Sequence, residues 1–81
     1  MKVIWGGKIE TNGLRHSQER AMKRNISLAQ IEAALAVPDE TEIQSLDCRR
    51  YVKQFDERHL RIVAVNKGND VYEIITCFWE D

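Results

Sequence analysis

Only two residues, Asn25 and Ile26, separate a helical pattern ending at Arg24 from a second helix start at Ser27. A chain that reverses in so few residues places two helices in an αα-hairpin. The signals around the reversal are explicit. Ser27 reads as an N-cap and Gln30, three residues on, completes a capping box, while Ile26 and Ile31 are spaced as a hydrophobic staple. Loss of the Ser27 hydroxyl is expected to cost about 1 kcal/mol. Asn25 suits the left-handed position just past a helix end, where Gly is best and Asn next best. The second helix carries Leu28, Ile31, Ala34 and Leu35 on one face, and Pro38 stops it near Ala36 or Val37. The first should run from about residue 14 to Arg24, prepared by Thr11-Asn12-Gly13. Its inward stripe is Leu14, Gln18, Ala21 and Met22, with Arg15, Glu19 and Lys23 toward water.

The rest of the chain reads as strands. Lys2-Val3-Ile4-Trp5 is a short strand, Gly6-Gly7 a break, and Lys8-Ile9-Glu10-Thr11 a second extended piece, either hairpin or bulge. Beyond Pro38, strands are expected over Thr41–Leu46, Arg49–Phe55, His59–Asn66 and Val71–Trp79. Asp56-Glu57-Arg58 and Lys67-Gly68-Asn69-Asp70 supply turns. The last strand is apolar on both parities, so it should lie centrally, with helices on one face and something else covering the other. Simple alternation puts Thr76 on the face of Tyr72, Ile74 and Phe78. The order β(β)ααββββ describes an α+β domain, an N-terminal helical hairpin on a mainly antiparallel sheet.

Eighty-one residues suffice for one domain spanning 1–81. With 43% hydrophobic and 31% charged residues the composition is that of an ordinary globular protein. No apolar run reaches the roughly 18 residues of a membrane span, and the N-terminus lacks the apolar core of a signal peptide. A cytoplasmic protein without membrane attachment is expected. Cys48 and Cys77 form no CxxC pair and the two histidines are not spaced to join them, so no metal or cofactor is implied. Both cysteines read as unreactive strand thiols. The net charge of −1 is unevenly spread. Residues 1–24 hold six Lys/Arg and two Glu, and residues 25–47 hold five acids and no base. The chain lacks the general basic excess of a nucleic-acid-binding domain, so any phosphate contact must be local, through a small basic patch.

Such a patch is in view. His16, Arg20 and Arg24 fall at i, i+4 and i+8, drifting by only about 40° per step, and project from one helix face. Three neighbouring cationic side chains require an anion opposite, either a carboxylate of this chain or a phosphate from outside it. Imidazole exchanges protons near neutral pH, and guanidinium groups clamp phosphate oxygens.

His16, Arg20, Arg24, Ile26 and Ser27, followed by Pro38 and the Ile74-Ile75-Thr76-Cys77-Phe78 strand, resemble a family of small prokaryotic domains of uncharacterised function. Its members read His-x-x-x-Arg-Met-x-x-Arg-Gly-Ile-Ser at this point. Here Met falls at position 22, and Asn25 stands where Gly is common. Those domains look related to the RelE/ParE toxin superfamily, which implies a helical hairpin against an antiparallel sheet and, in some members, RNA cleavage without metal. The resemblance implies a toxin-type ribonuclease paired with an antitoxin. His16 would exchange the proton and Arg20 and Arg24 would hold the phosphorane, with Tyr51, Thr76 and Lys53 on an opposite wall.

A structural role stands against each of these assignments. Arg20 and Arg24 can pair with Glu32, Glu73 or another acid of the 25–47 stretch, and Thr76 can be a satisfied core hydroxyl. Trp5 and Trp79 read as core or interface aromatics. On that view the domain is a non-catalytic protein-binding module, with a homodimer through its sheet edges as one form, or a degenerate toxin-fold scaffold. The discriminating observation is whether the row is left open or neutralised by the chain's own groups.

Overall fold

The chain folds around one five-stranded mixed sheet with two helices on it, in a computed structural model that describes residues 1–81. In chain order the elements are β1 (Lys2–Trp5), α1 (His16–Lys23), α2 (Leu28–Ala36), β2 (Glu40–Ile43), β3 (Cys48–Phe55), β4 (Arg58–Gly68) and β5 (Val71–Glu80). The strands lie in the order β1-β5-β4-β3-β2. β2 to β5 form an antiparallel meander, and β1 joins β5 in parallel. The class is α+β. No helix is long and apolar enough to cross a membrane.

The helix-reversal signals operate as their chemistry dictates. Ser27 accepts from the Gln30 amide at 3.1 Å, the Gln30 side chain accepts from the Ser27 amide at 2.9 Å, and Asn25 takes φ 56°. The β4–β5 hairpin turns on Asn69 and Asp70, both at positive φ, as a tight two-residue turn demands. Two expectations need correction. The two helices do not pack along each other: α1 rests on β5 and β1, and α2 on β3 and β4. The extended piece after Gly7 forms no strand, only an isolated bridge between Ile9 and Arg15.

The core lies between helices and sheet. Ala21, Ile26, Ile31, Ala34 and Leu35 pack on Tyr51, Leu60, Ile62, Ala64, Ile74 and Cys77. On α1 the inward positions are Ser17 and Ala21, whereas Met22 is 62% exposed. The face of α1 that lies against β1 and β5 carries the small side chains, and Met22 falls outside it.

A bulge alters which face each β5 residue takes. Val63 pairs with Thr76 but Ala64 pairs with Ile74, which leaves Ile75 as the extra residue. Tyr72, Ile74, Cys77 and Trp79 therefore face the helices, while Thr76 and Phe78 face away, against the simple alternation. No element covers this second face. Its cover is Arg50 and Arg61, which stand in register beside Val63 and between Val52 and Phe78, with their stems lying along the sheet. Their heads pair with Glu42 and with Glu80, the latter at 2.7 Å. Val52 is buried at 3% exposure as a result.

Candidate functional site

The N-terminus of α1 is held by a joint that two glycines make possible. The Gly6 amide donates to the Ile74 carbonyl at 2.8 Å, which continues the β1–β5 pairing by one residue. The Gly6 carbonyl accepts from the Ser17 hydroxyl at 2.8 Å and from the Ser17 amide at 3.3 Å. A side chain at residue 6 would place its Cβ 2.7 Å from the Ile74 carbonyl oxygen, and one at residue 7 would meet the His16 Cβ at 2.9 Å. The chain then loops out and returns. The His16 amide donates to the Lys8 carbonyl, the Glu10 amide to the Leu14 carbonyl, and the Leu14 amide to the Asn12 side chain.

That loop carries Glu10 onto His16, with Oε1 at 2.7 Å from Nδ1. The pair is open to solvent on its outer side: the His16 side chain is 44% exposed and that of Glu10 35%. A carboxylate on Nδ1 selects the tautomer that carries its proton there and leaves the Nε2 lone pair outward. No group of the chain bonds Nε2.

The rest of the row is divided. Arg24 closes α1 and is tied to β5 at both ends: its Nη1 donates to the Cys77 carbonyl at 2.7 Å, and its own carbonyl accepts from the Trp79 indole at 2.8 Å. Arg20 is exposed and makes no ion pair or side-chain hydrogen bond. Its neighbour Glu19 is held below the usual carboxylate range, first by the bond from Lys23 at 3.1 Å, with help from Asn12. Two of the three row members are thus engaged inside the chain. The carboxylate comes from the N-terminal loop, not from Glu32, Glu73 or the acidic stretch; Glu73 pairs with Lys67 at 3.3 Å.

The sheet residues expected opposite His16 do not form one wall. Tyr51 is 5% exposed on the helix-side face, edge-to-face with Tyr72 at 6.1 Å, and burial raises its phenol above the ordinary value. Thr76 lies on the opposite face, beyond the Ile75 bulge. Lys53 reaches back to the Val37 carbonyl at 3.0 Å, at the end of α2. No hydrogen bond joins any of them to His16. Cys77 is buried and uncombined, its thiol pushed up to about 11 by burial against a smaller opposing influence from Arg24. No group of three or more His, Cys, Asp or Glu side chains is arranged to hold a metal ion.

A family described as "Domain of unknown function (DUF4258)" matches residues 14–79. The chain belongs to this DUF4258 family. No curated protein and no solved structure matches it. The matched span of this DUF4258 chain begins at Leu14 and includes His16, Arg20 and Arg24. β1, the Gly6–Gly7 joint and Glu10 lie ahead of it. Glu10 is the residue that sequence reasoning missed. Its signal is weak: a lone carboxylate six residues before His16, across a loop whose path depends on Gly6 and Gly7.

Proposed function

We propose that this chain is a toxin-type, metal-independent ribonuclease with a RelE/ParE-like fold, in which the Glu10–His16 pair, and not the three-residue row, carries proton transfer. One observation carries the reading: an imidazole fixed through Nδ1 by a carboxylate, half exposed, with no bond of the chain to Nε2. Glu10 occupies Nδ1 and orients the ring, which leaves Nε2 to act as the base. The 2′-hydroxyl of a ribose gives its proton to Nε2 as its oxygen attacks the adjacent phosphorus, and the 5′-oxygen leaves with a proton from water. Arg20, one helical turn on and unpaired, supplies positive charge to the phosphorane. Arg24 and Tyr51 take no part in the chemical step, and neither does Thr76. A cognate antitoxin covering α1 would silence the site.

Incubating the purified chain with single-stranded RNA tests this. Products ending in a 2′,3′-cyclic phosphate are expected, abolished by His16→Gln and reduced by Arg20→Ala. RNA left intact, or cut equally by His16→Gln, overturns the proposal.

A second reading, a non-catalytic protein-binding module, is favoured by a separate observation. The edge strand β2 and the loop after it expose Ile43 at 72% and Leu46 at 97%. An exposed apolar edge is a surface for strand pairing with a partner or a second copy. Light scattering that detects a dimer lost on Ile43→Lys, with RNA uncut, would favour this reading.

A further inference from the structure

The largest concavities lie at the opposite end of α1 from His16, where the α1–α2 turn faces the end of the β3–β4 hairpin. Two lobes of about 640 and 520 Å³ adjoin there and share Asn25, Arg58 and Trp79. Both fall within the roughly 300–1,000 Å³ of small-ligand sites. Their chemistry differs. The first adds Phe55, Gln30, Asp56 and Glu57; the second adds Lys23, Arg24 and Phe78 and contains no acid.

Between them Arg58 lies with its guanidinium carbon 4.3 Å from the centre of the Trp79 ring, and Phe55 meets Trp79 edge-to-face at 6.1 Å. Arg58 is 52% exposed, and its one ion pair, with the exposed Asp81, is a loose 3.9 Å. Its outer plane is therefore open for a flat ligand to stack on. Arg24 commits Nη1 to the Cys77 carbonyl and lines the second lobe, its other guanidinium donors making no bond within the chain. Lys23 is shared with Glu19 on the surface.

We propose that this groove binds a nucleotide unit, with the base stacked on Arg58 in the first lobe and the phosphate held by Lys23 and Arg24 in the second. The carboxylates of Asp56 and Glu57 then stand where the amino groups of a base can donate to them. An acidic peptide fits worse, because the same carboxylates repel it. The unit belongs either to a single RNA strand or to a free nucleotide, and the site requires no proton transfer at His16.

Fluorescence anisotropy of a labelled hexaribonucleotide, with unlabelled AMP, GMP, inorganic phosphate and a hexaglutamate peptide as competitors, tests it. Displacement by excess AMP or GMP, but not by phosphate or the peptide, is expected. A strand that binds tighter than the mononucleotides identifies RNA as the source, and equal affinity identifies a free nucleotide. Arg58→Ala should weaken binding about tenfold, within the range for losing one stacked base, and Arg58→Lys, which keeps the charge but not the plane, should also weaken it. Lys23→Glu, on an exposed side chain at the end of α1, should weaken it too. Lys23→Ala should reduce the slope of log affinity against log salt by about 0.7. Lys67→Ala, an equal loss of charge elsewhere, should change the affinity little. Absence of binding, affinity indifferent to Arg58 and Lys23, or equal competition by phosphate or hexaglutamate overturns the proposal. Binding here without RNA cleavage removes the nuclease reading and leaves this one standing, while cleavage without Arg58-dependent binding does the reverse.

Discussion

Replacing Gly6 by Ala should cost more than removing the buried Ser17 hydroxyl, although both changes strike the same joint. In Ser17→Ala a fully buried donor disappears, but the Gly6 carbonyl keeps the Ser17 amide as a donor at 3.3 Å. No buried group is orphaned, so the loss is one neutral hydrogen bond, about 1 kcal/mol. For a domain of this size that lowers Tm by about 4–8 °C. In Gly6→Ala the new methyl sits 2.7 Å from the Ile74 carbonyl oxygen and 3.0 Å from a Glu73 carboxylate oxygen. The Glu73 side chain can swing aside. The carbonyl cannot, since it belongs to β5 and already receives the Gly6 amide at 2.8 Å. β1 must move off β5, which adds an overpacking cost of about 1–3 kcal/mol to a weakened hydrogen bond. A total near 2–3 kcal/mol, or a Tm lower by about 10–20 °C, is expected. Thermal melts followed by circular dichroism and urea titrations at neutral pH measure both variants. If Gly6→Ala melts with the wild type, or Ser17→Ala proves the more damaging, the close approach at this joint does not hold β1 in place.

Three further outcomes follow from individual side chains. With Glu10 present, nitrogen chemical shifts should report the neutral His16 ring as protonated on Nδ1, and Glu10→Ala should move that proton toward Nε2; an unchanged tautomer would remove Glu10 as the orienting group. Burial holds the Cys77 thiol neutral up to about 11, against 9.0 for the free group, so unfolding is favoured as pH rises through that interval. The stabilising contribution is therefore complete below pH 9 and lost between pH 9 and 11. Urea midpoints should fall across that range and fall less in Cys77→Ala, Tyr51 adding a change of the same sign at the upper end. On the uncovered sheet face, the Nε atoms of Arg50 and Arg61 are enclosed without hydrogen-bond partners. Arg61→Met, which keeps the stem and removes one such atom, should alter the unfolding free energy by less than about 1 kcal/mol. Arg61→Ala, which uncovers Val52 and Phe78, should lose more in the same urea titration, and a reversed order would refute the role given to the stem.

What the sequence disclosed depended on range. The capping box at Ser27 and Gln30 and the left-handed Asn25 act within four residues, so local chemistry was enough to find them. The β3–β4–β5 meander followed from alternating apolar residues between turn residues. Its bulge did not, because Ile75 is as apolar as its neighbours and nothing local marks it as the extra residue. That single insertion carried Thr76 away from the helix-side face. The stripe on α1 failed for a related reason: hydrophobicity favours Met22, whereas the buried positions are Ser17 and Ala21, with Ser17 bonded to the Gly6 carbonyl. Helix spacing pointed to the row of His16, Arg20 and Arg24, but its partners were not legible. The Cys77 carbonyl is 53 residues from Arg24 in the chain.

The Glu10–His16 pair bears on both readings of function, and the distinction lies in which state of the imidazole each needs. Phosphate binding by the row needs a protonated ring with both nitrogens donating outward, and a carboxylate 2.7 Å from Nδ1 takes one of those donors and cancels its charge. Base catalysis needs one nitrogen held and the other free to accept a proton, and the same carboxylate supplies the held one. A carboxylate required only to anchor the loop would do as well against any cationic side chain on α1. Replacing His16 by Lys separates these cases: it keeps a hydrogen-bond donor for Glu10 and therefore the loop, but removes the aromatic base. The variant should melt close to the wild type and be inactive on RNA. A large loss of stability would mean instead that the imidazole itself is packed into the fold, and that Glu10 and His16 are together a structural clasp.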